Sequence, residues 1–105
     1  FTYIDDVIEA IVKIIPKSSN KKIPFSIYNI ASSKPENLKK FLQIIENTIG
    51  RKGKKNYLKL QPGDIYKTHG SINKLYKKFN YKPKINISKG VERFIKWYKS
   101  YYQIK

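Results

Sequence analysis

Two side chains able to hold a polar ligand flank the corner Gln61-Pro62-Gly63-Asp64. Proline presets φ at about −65° and the glycine after it can take positive φ, which is what a type II turn asks of its two central positions. Such a turn holds an amide and a carboxylate on either side of a tight bend, where both can meet the same polar group. Proline-glycine turns are common, and by itself this one reads more readily as structural than as functional. Three other places carry chemistry-bearing residues. His69 is the single histidine, without a second His, a Cys or clustered carboxylates beside it, so it is read as a surface or supporting residue and no metal site is expected. Tyr101 and Lys105 match Tyr-x-x-x-Lys, yet nine tyrosines among this many lysines give roughly two such pairs by chance, and no catalytic role is assigned to them. Ile49-Gly50-Arg51-Lys52-Gly53 resembles the I-G-x-x-G backbone clamp of nucleic-acid-binding KH domains. That clamp joins two helices, whereas Lys55 to Leu60 alternates polar and apolar like a strand. Helix stop and connector is therefore the preferred reading of the two glycines.

The elements that must position these residues follow from periodicity. Phe1 to Ile4 reads as the end of a strand entering a helix whose first turn holds Asp5 and Asp6, carboxylates suited to free backbone N–H groups and to the positive end of the dipole. Ile4, Ile8, Ile11, Val12 and Ile15 recur at helical spacing and are expected to be buried against a sheet, with Pro16 marking the end. Lys17 to Lys22 is a polar loop. Phe25 to Ile30 has the length and composition of a strand covered on both faces. Ser33 and Glu36 have capping-box spacing ahead of a helix with a buried stripe of Leu38, Phe41, Leu42, Ile45 and Ile49, closed by Gly50. Ser71 is placed to cap a short helix bearing Ile72, Leu75, Tyr76 and Phe79. Ser88 is placed to cap the last helix, whose Val91, Phe94, Ile95, Tyr98 and Tyr102, with Trp97 and Tyr101 beside them, read as core.

The chain is 105 residues with no cysteine, which bounds it to one modest core without disulfides or thiolate metal sites. No apolar run reaches membrane-spanning length. Methionine is absent and no targeting segment stands at the start, so a piece of a longer polypeptide is expected. The net charge of +16 raises nucleic acid or an anionic surface as a partner. Against this, the basic residues are nearly all lysine and are spread over every segment, as on a solvated surface.

Taken together, Phe1-Thr2-Tyr3-Ile4-Asp5-Asp6-Val7, Tyr28-Asn29-Ile30, Ser33-Lys34-Pro35-Glu36-Asn37-Leu38, Gln61-Pro62-Gly63-Asp64-Ile65, Phe79-Asn80-Tyr81-Lys82-Pro83 and Gly90-Val91-Glu92-Arg93-Phe94 to Trp97-Tyr98 resemble, in collinear order, the C-terminal third of the NAD-dependent sugar-nucleotide epimerases of the extended short-chain dehydrogenase family. The resemblance is to UDP-glucuronate 4-epimerases in particular. It implies an α/β fold: the substrate-binding portion of a Rossmann-type enzyme, helices with a few short strands, residues 1–105 forming the nucleotide-sugar domain. It implies that NAD is bound by an N-terminal Rossmann domain outside this chain, since no Gly-rich fingerprint follows a strand here. Gln61 and Asp64 stand where the family's Arg/Gln-Pro-Gly-Asp motif meets the nucleotide end of the substrate, and no catalytic residue is expected in the chain. Gly70-Ser71 departs from the family's Ala-Asp pair after the turn. The implied partners are a UDP-sugar, the chain's own Rossmann domain and a second copy in a homodimer, with neither nucleic acid nor membrane, in the cytoplasm. A dehydratase or decarboxylase of the same superfamily is the alternative reaction. A basic nucleic-acid-binding module, resting on the net charge and Ile49 to Gly53, is the rival from another class.

Overall fold

The helical periodicities of the sequence appear in the computed structural model, which describes residues 1–104, as α1 (Ile4–Ile14), α2 (Leu38–Ile49), α3 (Asn73–Phe79) and α4 (Ile87–Tyr101). The chain divides into two compact units. The first comprises Phe1–Pro35 and His69–Asn86, the second Glu36–Thr68 and Ile87–Lys105.

In the first unit Ala10 and Leu75 are wholly buried and Tyr81 nearly so, with Ile14, Tyr28, Ile30 and Phe79 packed around them. Each fully buried side chain of this size contributes about 1.5–3 kcal/mol relative to exposure, so Leu75 and Tyr81 dominate this small core. The face of α1 that enters it is not the expected one. Asp6 and Ala10 are buried, one helical turn apart, whereas the isoleucine row runs from 40% exposed at Ile11 to 75% at Ile15. A sheet would have covered that row, and no strand is formed among the described residues. Phe25 to Ile30 keeps the alternation of a strand, with Ser26, Tyr28 and Ile30 half-buried and Phe25, Ile27 and Asn29 exposed. A strand exists only by pairing with a neighbour, and this segment has none among the described residues. Its expected second cover is therefore also missing. Phe1 to Tyr3 are likewise not strand. α3 ends at Asn80, which is left-handed at φ 49° and donates its N–H to the Tyr76 carbonyl.

In the second unit α2 and α4 pack together. α2 is capped by Asn37, whose Oδ1 accepts from the N–H groups of Lys39 at 2.9 Å and Lys40 at 3.2 Å. Ser33, the expected cap, is left-handed at φ 59° and so lacks the extended backbone an N-cap needs. The α2 stripe is only half-buried at Phe41 and Ile45, and Leu38 is 70% exposed. Gly50 ends the helix in the left-handed region, and Gly50 and Arg51 both donate to the Glu46 carbonyl. The Glu46 side chain then ties down the connector, accepting from Gly53 N–H and from Lys55 Nζ, each at 2.8 Å. The hydrogen bond from Lys55, and next that from Gly53, holds the Glu46 carboxyl below its usual range. No helix follows until α3, so the two-helix KH arrangement is not formed and the glycines act as stop and connector. Lys55 to Leu60 is exposed at every residue and is not a strand.

α4 begins at Ile87, one residue before the expected cap Ser88, and buries Gly90, Val91 and Ile95. Its aromatic stripe does not enter the core. Phe94, Trp97, Tyr98, Tyr101 and Tyr102 are all at least 41% exposed and pack on one another along the helix, with Trp97 and Tyr101 stacked at 5.4 Å. Rings four residues apart meet on a helix surface even where no facing element covers them.

Candidate functional site

The corner at residues 61–64 forms as its composition dictates. Asp64 N–H donates to the Gln61 carbonyl at 3.1 Å, closing the four-residue turn, and Gly63 takes φ 92°, the positive value required at the third position. A second bond runs the other way. Gln61 N–H donates to Asp64 Oδ2 at 3.3 Å, so the carboxylate braces the turn that presents it. Gln61 and Asp64 are thus brought together, and both are exposed, as is every residue from Arg51 to His69. An ionised carboxylate has about four acceptor positions, so one long hydrogen bond leaves Asp64 able to accept from the hydroxyls of a ligand. The Gln61 amide adds donors and an acceptor on the neighbouring side.

His69 is exposed, and Tyr101, at the end of α4, is 67% exposed. Lys105, its partner in the Tyr-x-x-x-Lys match, lies outside the described residues. Among those residues no group of three His, Cys, Asp or Glu gathers to hold a metal ion. Among the described residues no helix is long and apolar enough to cross a membrane.

The sequence reading missed the polar group that organises the first unit. Asp6 caps no helix N–H. Its side chain turns inward, 2% exposed, and accepts from the N–H groups of Lys84 and Ile85, both at 3.0 Å. Tyr81 Oη donates to the Asp6 carbonyl at 2.7 Å. Burial, then the negative charges of Asp6 and Glu9, pushes the Tyr81 phenol up to about 12. Asp5 and Asp6 are both plausible first-turn carboxylates, and nothing in their types distinguishes the one that enters the core. Gly70, which stands where the family pattern has alanine, has a packing reason. A Cβ there would lie 2.7 Å from the Cβ of Ala31, so the two backbones approach too closely for any side chain. Ser71, expected as the α3 cap, receives only a 3.5 Å contact from Asn73 N–H, and its carbonyl accepts from the Asn29 amide.

No protein-family model matches the chain. Individual proteins do. The chain is 37% identical over 117 residues to a Staphylococcus aureus protein named CapI, covering 98% of this chain and 35% of that protein. It is 33% identical over 115 residues to UDP-glucuronate 4-epimerase 6 of Arabidopsis thaliana, covering all of this chain and 25% of that one. Among solved structures it superposes with a TM-score of 0.80 and 29% identity on a mutant UDP-glucuronic acid 4-epimerase from Bacillus cereus, in complex with UDP-4-deoxy-4-fluoro-glucuronic acid and NAD. That match covers 97% of this chain and 32% of the epimerase. The class is therefore that of the Rossmann-type extended short-chain dehydrogenases, in which this chain has the fold of about one third of a molecule. Within the class its likeness is to UDP-glucuronate 4-epimerases, and it spans a quarter to a third of the length of these relatives.

Proposed function

We propose that this chain is the C-terminal, nucleotide-sugar-binding part of an NAD-dependent UDP-sugar 4-epimerase, with UDP-glucuronate as the substrate. The observation that carries the reading is the end-to-end match of the chain to one third of an epimerase solved with a UDP-sugar and NAD. The uncovered isoleucine row of α1 and the uncovered Phe25 and Ile27 support it. They are apolar faces of the size and kind that a further domain of the same polypeptide covers.

The glycines present do not form the Gly-rich turn of a dinucleotide site. Gly50 and Gly53 follow a helix C-terminus, Gly63 is in the turn, Gly70 packs on Ala31 and Gly90 lies inside α4. None lies in a Gly-rich turn from a strand into a helix that could admit a pyrophosphate. NAD and the catalytic residues belong, on this reading, to the part of the enzyme outside the chain. What this chain contributes is an anchor. Epimerisation at C4 requires the sugar to present both faces to the same reacting groups, so the binding energy must sit on the nucleotide, away from the carbon that reacts. Gln61 and Asp64 are assigned to that end, Asp64 accepting from ribose or uracil donors and Gln61 donating through its amide.

The test is to incubate the complete polypeptide with NAD and UDP-glucuronate and resolve the products by anion-exchange chromatography. UDP-galacturonate is the expected product. Loss of water or of carbon dioxide instead would overturn the epimerase reading in favour of a dehydratase or decarboxylase. No turnover of any UDP-sugar would overturn both.

A further inference from the structure

The first unit contains a concave site, chemically unlike the turn of the second. A cavity of about 690 Å³ lies between the end of α1, the loop after it and α3. Lys17 and Lys21 line it from the loop, and Lys74, Lys77 and Lys78 from α3. Not one of its fourteen lining residues is an aspartate or glutamate. Positions 74, 77 and 78 are three and four apart, so their side chains share one face of α3. Lys74 is fixed in place, its Nζ donating to the Ile27 carbonyl at 2.6 Å and lying 4.8 Å from the centre of the Tyr28 ring. Tyr28 in turn meets Phe79 edge to face at 5.1 Å, giving the cavity an aromatic wall.

We propose that this cleft binds an oligophosphate, either free or as the phosphate chain of a nucleotide. Lysines on a merely solvated face diverge into water. Here five line one concavity with no carboxylate among the lining residues, an arrangement whose mutual repulsion an entering anion relieves. Lysine acts as a point charge without the planar fork that selects carboxylates, and several such charges in a small volume favour a ligand with its negative charges closely spaced. The volume is that of a small-molecule site, whereas a nucleic acid strand needs a groove that continues along its backbone. The proposal does not rest on the UDP-sugar reading, because Gln61 and Asp64 are not among the lining residues.

The test is calorimetric titration of the chain with inorganic tripolyphosphate and, separately, with adenosine triphosphate. The comparison is between a Lys77→Gln/Lys78→Gln variant and a charge-matched Lys54→Gln/Lys59→Gln control. Circular dichroism checks that each variant is folded, and all four lysines are exposed. Saturable one-to-one binding is expected, weakened roughly tenfold or more in the cleft variant and less than about twofold in the control. Tighter binding of the nucleotide would assign the aromatic wall to its base, and equal binding would make the phosphate chain alone the ligand. Equal weakening in both variants, the absence of saturation, or preferential binding of a thymidine oligonucleotide would overturn the proposal. The Asp64→Ala variant separates the two sites, since it is expected to leave tripolyphosphate binding unchanged.

Discussion

The two units are held together by different kinds of contact. In the first, a buried carboxylate and a buried phenol join residues 75 to 79 positions apart in sequence. In the second, the bonds that shape residues 37–64 are local: Asn37 to the next turn, Glu46 to Gly53 and Lys55, Gln61 to Asp64. The long-range network specifies a core, whereas the local bonds only shape a presenting loop. A corner of this second kind can change its side chains without disturbing what holds the molecule together.

Substitutions sharpen that contrast. The largest loss of stability is expected from Asp6→Ala, which leaves the Lys84 and Ile85 N–H groups without their partner. About 2–4 kcal/mol should be lost in urea denaturation, and a variant as stable as the parent would show that the network is dispensable. Tyr81→Phe removes one hydrogen bond and should cost about 1 kcal/mol. It should also change the alkaline limb. The phenol of the folded chain titrates at about 12 against 10.0 for a free tyrosine, so the unfolded chain loses this proton first. The stabilisation is complete below about pH 10 and is lost as pH rises through 12, on the order of 2 kcal/mol, and the phenylalanine variant should lack that decline. In the second unit, Asn37→Ala should cost about 1 kcal/mol, read as a small shift in the thermal midpoint. Asp64→Ala should be the mildest for the fold, within about 0.5 kcal/mol. In the complete enzyme it should nevertheless weaken UDP-sugar binding by about 1–3 kcal/mol, and an unchanged KM and kcat would remove Asp64 from the site.

The sequence carried the four helices because each has an apolar repeat, with Pro16 and Gly50 as identifiable stops for the first two. The turn at 61–64 was legible for the same reason, proline and glycine leaving little choice of conformation. Which face of α1 would be buried was not legible. Its isoleucine row is the stronger apolar signal, but the described chain contains no sheet to receive it, and the contacts available to α1 come from Leu75 and Tyr81. The strands were misread because alternation records only that a segment has two faces. Pairing depends on a partner, which residues 25–30 and 55–60 do not have among the described residues. The cap was missed because Ser33 and Glu36 have the right spacing while the backbone at Ser33 has the wrong sign of φ. Asp6 was missed because its donors, two main-chain N–H groups, leave no trace in side-chain composition.

The Asp6 network also sets an order of events during synthesis. Asp6 leaves the ribosome 78 and 79 residues ahead of its donors at Lys84 and Ile85. Until then α1 has neither Leu75 nor Tyr81 to pack on, while α2 and the 61–64 turn, built from near neighbours, can already form. The core of the first unit therefore closes only once residues 81–85 have been made, through contacts that span long stretches of chain and carry a correspondingly large closure entropy.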